Sequence, residues 1–268
     1  MIRFSIITIT YNAEHTLQRT LDSVLMQIHA NLEHLIVDGA SSDATVAMAE
    51  AYKKKSDNAD NGHDVTVVSE ADHGLYDAMN KGLLLAQGDY VVFLNAGDTL
   101  PHNDTLQQIE KKARLGEDRE EWPAVLYGLT DIVDDGGHVL YPRRLQPPEH
   151  LTWRSFLRGM LVCHQAFYAR LDLARTLPYN LKYRYSADVD WCIRVMKEAL
   201  RNRLDLRPLH LTVAHYLEEG QTTLHHRESL KERFHVMTVH YGYLPTILMH
   251  LWFVIRAIVR KLSLRKQS

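Results

Sequence analysis

VVFLNAGDTL, residues 91–100, opens with four apolar residues, Val91 to Leu94, the pattern of a strand buried on both faces. The run then stops at Asn95, Ala96, Gly97 and Asp98: an amide, two small residues and a carboxylate at the end of a core strand. Upstream, LYDAMNKGLLLAQG reads as a helix stopped by Gly88, and VTVVS as the strand before it. The same alternation extends back to the start. FSIITI is a first strand, NAEHTLQRTLDSVLMQIH a helix behind an Asn12 cap, HLIVDGASSD a second strand ending in a turn, ATVAMAEAYKKK a second helix and KKKSDNADNGHD an exposed loop. Such alternation predicts an α/β fold, a mostly parallel central sheet flanked by helices on both faces.

Beyond Asp98 the pattern loosens. AVLYGLTDIV and HVLYPRR flank DDGG as a hairpin, QPPEH is a kinked connection, LVCHQAFYAR a strand, SADVDWCIRVMKEALRN a helix and RPLHLTVAHYL a late strand. The expected organisation is one domain over residues 1–220, with halves at 1–100 and 101–220, followed by a helical extension over 221–268.

Composition limits the function classes. With 268 residues and 46% hydrophobic content the chain can bury a large core. A net charge of -2 argues against a nucleic-acid binder. Cys163 and Cys192 lie in apolar surroundings without metal-ligand spacing and read as reduced core thiols. The N-terminus lacks the pattern of a signal peptide, so a cytoplasmic location is expected. At the other end, residues 243–268 are apolar from Leu244 to Ile255 and then carry Arg256, Arg260, Lys261, Arg265 and Lys266. The uncharged part falls short of the ~20 residues a spanning helix needs. It reads as an interfacial helix on an anionic membrane face, or as a helix packed on protein.

Ligands of open α/β sheets sit outside the carboxyl ends of the strands. Three predicted strands end there in polar residues: Thr10, Tyr11 and Asn12; Asp38 through Asp43; Asn95 and Asp98. Neither a G-x-G-x-x-G fingerprint nor a P-loop is present. A nucleotide would instead be held by Tyr11 against a base or ribose and Asp38 accepting a base N–H. Asp98 would reach a metal on the phosphates, with Gly97 leaving room for the sugar phosphate.

The segments TYN, DGASSDAT, EADHGLYDAMNKGLLLAQGDYVVFLNAGD, CHQAFY and SADVDW, in this order from about Ile6 to Gly220, resemble the family 2 glycosyltransferases of GT-A fold. The likeness is closest to bacterial members that build cell-surface polysaccharides. The resemblance implies a nucleotide-diphosphate sugar donor, a saccharide or lipid-linked saccharide acceptor, a divalent ion (Mn2+ or Mg2+), and a place at the inner face of the cytoplasmic membrane. It implies a donor site at Thr10, Tyr11, Asn12 and Asp38, with Asp72 near ribose or phosphate and Asn80, Lys81 and Gly82 in a supporting helix. Asn95, Ala96, Gly97 and Asp98 stand where the family has D-x-D, Asp98 being the metal ligand, although Asn95 replaces the first carboxylate and the spacing is three. The resemblance further implies Asp188 as catalytic base, Asp190 as its nearest substitute, His164 and Gln165 on the acceptor side and His215 completing the metal shell. Bland readings compete: Asp38 as a turn residue, Asp188 as a helix N-terminal charge beside a Ser186 cap, His164 and His215 as structural histidines. For the whole chain, a catalytically silent sugar-nucleotide-binding or assembly protein is the alternative.

Overall fold

The structure, a computed structural model, describes residues 1–218 and 226–264. The nucleotide half follows the expected alternation. β1 (Phe4–Thr10), β2 (Leu32–Asp38), β3 (His63–Ser69) and β4 (Tyr90–Phe93) are parallel, in spatial order β3-β2-β1-β4. Every residue of β1, β2 and β4 is buried. α1 (Leu17–Leu25), α2 (Thr45–Ala59) and α3 (Leu75–Leu85) connect them.

The register fixes where chemistry can occur. Thr10 pairs with Asp38 and Asp38 with Ser69, so three strands reach the same level at one rim. On the far side of β4 the sheet turns antiparallel through β7 (Phe167–Arg170), β5 (Val125–Val133) and β6 (Val139–Pro142), while β8 (Leu206–Leu217) runs parallel to β5. α4 (Thr105–Ala113) follows the β4 turn, and α5 (Leu171–Thr176) and α6 (Ala187–Arg201) follow β7. β5 and β6 form the hairpin read from the sequence around DDGG.

Several expectations need correction. α1 starts at Leu17, not at Asn12: Asn12 has φ 47° and sits in the loop, where its side chain bonds across to Ser42. The loop expected over KKKSDNADNGHD is helical as far as Ala59, because Ser56 is buried and Lys53 pairs with Asp57 one turn on. LVCHQAFYAR is a strand only from Phe167, and His164–Ala166 is a 3-10 turn. α3 ends at Leu85, before Gly88. Its buried stripe runs through Tyr76, Met79 and Leu83, and Leu75 is exposed.

The C-terminal extension is two helices, α7 (His226–Tyr241) and α8 (Tyr243–Leu264). α7 is part of the main body: Val236 and Met237 are buried, and the Glu232 carboxylate accepts the backbone N–H groups of Arg184, Tyr185 and Ser186 at 2.7, 2.7 and 2.6 Å. Glu232 thereby caps the N-terminus of α6 from another element, which Ser186 does not do with its own side chain. α8 carries Leu244, Leu248, Leu251, Trp252 and Ile255 exposed, spaced along one helical face. Among the described residues no helix is long and apolar enough to cross a membrane. The side chains of Arg260 and Lys261, and residues Arg265 and Lys266, lie outside those described.

Candidate active site

The loops after β1 and β2 zip together at the rim. The Asn12 amide N–H donates to Ser41 Oγ at 2.8 Å, and the Ser42 N–H to Asn12 Oδ1 at 2.9 Å. Asp38 is the knot beneath them. Its Oδ1 accepts Thr10 Oγ1 (2.9 Å) and Ser41 Oγ (2.5 Å), and its Oδ2 accepts Ser69 Oγ (2.7 Å) and the Ser41 N–H (2.8 Å). Burial alone would raise the pKa of this carboxyl; the Ser41, Ser69 and Thr10 hydrogen bonds outweigh it and hold the group below its usual range. Four donors fill the four lone-pair positions, so Asp38 ties strand tips together and is not free to accept from a base. The acidic group beside Gly39 is the half-buried Asp72. A Cβ added at Gly39 would lie 2.5 Å from Asp72 Oδ2 and 3.4 Å from the Tyr11 ring, and Tyr11 is 68% exposed. Gly39, Tyr11 and Asp72 thus line one open corner of the rim.

The supporting helix holds its motif residues inward. Asn80 exchanges two hydrogen bonds with the Tyr179 backbone, at 3.1 and 2.6 Å. Gly82 packs on β1, where a Cβ would meet Ile7 Cγ2 at 2.6 Å. Lys81 pins the loop before α3 through Ala71 O and Glu70, both at 2.9 Å. Asn80 and Gly82 are therefore packing residues rather than donor contacts.

The turn after β4 is bolted to α1. Thr20 Oγ1 donates to Asp98 O at 2.7 Å and accepts the Gly97 N–H at 2.9 Å. Gly97 has φ 103°, open to glycine, but the space beside it is taken by Leu217 and Thr16. Ala96 packs against the small cluster that contains Leu17 and Leu21. Asp98 points inward, 4% exposed, its oxygens accepting Gln165 Nε2 at 2.7 Å and the Leu217 N–H at 3.1 Å. Burial pushes its pKa up to about 6 against those hydrogen bonds. His215 is part of an isolated bridge with Thr99, and the charges bearing on it are Asp131, His102 and Arg19. The Asp98 carboxylate is held by Gln165 and the Leu217 N–H, while the His215 backbone pairs with Thr99 next to it. Among the described residues no three His, Cys, Asp or Glu side chains converge as a metal set.

Asp188, Tyr76, His164 and Asn95 come together from four elements. Asp188 lies in the first turn of α6. Its Oδ1 accepts the Tyr76 phenol of α3 at 3.3 Å, and its Oδ2 is 3.6 Å from His164 Nδ1 in the 3-10 turn before β7. Nε2 of the same ring is 3.2 Å from the Asn95 amide nitrogen at the end of β4. Burial raises the pKa of Asp188, but His164, Arg233 and the Val189 N–H together outweigh it, and the carboxyl stays below its ordinary value. Beneath it Tyr76 stacks on Tyr179 and Tyr179 on Trp191, with centroids 5.5 and 5.0 Å apart. The result is an ionised carboxylate on an aromatic floor, hydrogen-bonded by Tyr76 and with His164 Nδ1 3.6 Å away. Asp190, two residues on, is buried and points away: Arg194 Nε and His240 Nε2 occupy its oxygens at 2.7 and 2.8 Å. It anchors α7 to α6 and is no substitute base. The sequence reading missed Tyr76 and Glu232; a tyrosine on the inward stripe of α3 was the available signal for the first, and nothing local marks the second.

The family model Glycosyl transferase family 2 matches residues 5–171. A PGL/p-HBAD biosynthesis glycosyltransferase of Mycobacterium tuberculosis is 34% identical over 231 residues, covering 85% of this chain and 82% of that protein. The amylovoran biosynthesis glycosyltransferase AmsB of Erwinia amylovora is 29% identical over 218 residues, 78% of this chain and 68% of that one. Among solved structures, residues 1–349 of S. aureus TarS in complex with UDP superpose with TM-score 0.62 at 17% identity, covering 88% of this chain and 63% of that one. This chain therefore spans less than two thirds of the TarS fragment. The mannosyltransferase PcManGT from Pyrobaculum calidifontis, in complex with GDP-Man and Mn2+, gives a TM-score of 0.54 at 17% identity over 96% of this chain and 81% of that one. Both likenesses establish the shared fold.

Proposed function

Because this chain belongs to glycosyl transferase family 2, we propose that it transfers a sugar with inversion from a nucleotide-diphosphate sugar to an acceptor hydroxyl, using Asp188 as general base. An acceptor hydroxyl is a weak nucleophile. As its oxygen bonds to the anomeric carbon, the proton passes to Asp188, and the bond from that carbon to the diphosphate oxygen breaks with its electron pair going to the leaving group. Attack opposite the leaving group inverts the centre, so one carboxylate suffices. The supporting observation is the Asp188 cluster: a carboxylate whose pKa is held down against burial by His164, Arg233 and the Val189 N–H, and which also accepts the Tyr76 phenol at 3.3 Å. Tyr11, Gly39 and Asp72 are the proposed donor corner. Asp98 takes no part as a ligand in this reading, so any Mn2+ or Mg2+ serving the diphosphate draws its oxygens chiefly from donor and solvent.

The acceptor we propose is a lipid-linked saccharide of cell-surface polysaccharide synthesis, reached at the inner face of the cytoplasmic membrane. Two observations support it: the biosynthetic names of the relatives and the exposed apolar face of α8. A thermal-shift screen of UDP-, GDP- and dTDP-sugars followed by hydrolysis assays tests the reaction. One donor should raise the melting point and be cleaved, and Asp188→Asn should cut cleavage by at least about a hundredfold with binding kept. Binding without cleavage in the unsubstituted protein, with acceptor saccharides present, would instead identify a silent sugar-nucleotide-binding protein.

A further inference from the structure

Asn95, His164 and Asp188 form a chain of contacts from the end of β4 to the first turn of α6, and the chemistry of its two ends fixes the state of the ring between them. A carboxylate offers only acceptors, so the ring nitrogen facing Asp188, Nδ1 at 3.6 Å, is the one that carries the proton. A neutral ring then has a bare Nε2, which needs a donor. The Asn95 amide nitrogen is 3.2 Å from it. A carboxylate at position 95 has no proton to give and would require both ring nitrogens to be protonated. The choice of an amide at the end of β4 therefore has a chemical reason. We propose that Asn95 holds His164 as the neutral Nδ1–H tautomer, so that the imidazole donates to Asp188 and aims the carboxylate at the acceptor hydroxyl. Asn95 and His164 are positioning residues for the proton transfer.

Three further observations agree. Asn95 Oδ1 is buried and has no hydrogen-bond partner among the described residues, so the amide is oriented through its N–H side. The Asn95 backbone is fixed, its carbonyl accepting the Asp98 N–H at 3.0 Å. The His164 side chain is 12% exposed, so the ring is enclosed between the two groups it faces. An imidazolium between two carboxylates would also pull the Asp188 pKa further down and weaken it as a base.

The assignment rests on Asp188 being the base, and the decisive measurement does not. Long-range 1H–15N correlation on the full 15N-labelled chain at pH 7.5, with the His164 signals identified by their loss in His164→Asn, should show a protonated Nδ1 and a bare Nε2. In Asn95→Asp both nitrogens should be protonated. A protonated Nε2 in the unsubstituted chain, or an unchanged neutral ring in Asn95→Asp, overturns the proposal. Turnover supplies the second arm, read as hydrolysis of UDP-N-acetylglucosamine and GDP-mannose. His164→Asn, whose amide can stand where Nδ1–H stood, should lose clearly less of kcat than His164→Gln. His164→Gln, whose amide stands at the Nε2 place, should lose about tenfold to a hundredfold with KM unchanged. Equal loss in both overturns the positioning role. Full cleavage by Asp188→Asn alongside the expected ring signals would instead bring down only the base assignment.

Discussion

At the scale of single residues, the carboxylates of this molecule divide by what their oxygens already hold. Asp38, Asp98 and Asp190 each have both oxygens engaged by protein donors, and all three are buried. Asp188 also has neighbours at both oxygens, but it and Asp72 are only half-buried, the Asp188 side chain being 16% exposed. Gly39 marks the donor corner, so Gly39→Ala should drive a methyl into Asp72 and toward Tyr11, raising KM for the sugar nucleotide while leaving the melting point nearly unchanged; steady-state kinetics beside a melting curve checks it. The motifs in the sequence identified which positions gather at the rim, because strand ends in a parallel sheet are dictated by pattern. They could not say which carboxylate is spent on structure. That depends on Ser69, Gln165 and Leu217, which lie 31, 67 and 119 residues from their partners.

At the scale of elements, the parallel half was legible because buried strands and amphipathic helices carry their own periodicity, whereas the 3-10 turn holding His164 has none. β2 also carries a buried imidazole. His34 bonds to Thr8 Oγ1 at 3.0 Å and to the Tyr52 hydroxyl at 2.7 Å, and burial, aided by His63, lowers its pKa to about 3. The folded chain keeps His34 neutral where the unfolded chain takes up a proton below about pH 6.5. The unfolded state then binds more protons, so the stability His34 confers is complete above pH 6.5 and is lost as pH falls toward 3. Urea midpoints should decline over that window by up to about 1.4 kcal/mol per pH unit, and His34→Gln should flatten the slope whatever it does to absolute stability.

At the scale of the whole molecule, the C-terminal helices have two different jobs. α8 presents Leu248 and Trp252 to solvent, and Leu248→Glu with Trp252→Glu should abolish flotation with anionic vesicles while hydrolysis of a soluble donor continues. α7 instead braces the base. Glu232→Gln should lose about 2 kcal/mol of stability in chemical denaturation and should slow turnover, since the segment bearing Asp188 loses its charged cap. Residues 221–268 read as one helical extension from the sequence, although the polar HRESLKERFHVMTVHY of α7 gives way to the apolar YLPTILMHLWFV of α8. What ties α7 to the main body is long-range: Glu232 on a backbone 46 to 48 residues away, His240 on Asp190, and buried Val236 and Met237.

That clamp governs how the chain can be shortened. Cutting after residue 218 would take Glu232 and His240 away with the apolar tail, so a dead enzyme from such a cut would report a collapsed α6 terminus and nothing about lipid. Ending the polypeptide at Gly242 removes the greasy helix alone and keeps both anchors, which makes it the shortest version in which solubility and turnover can be traded independently.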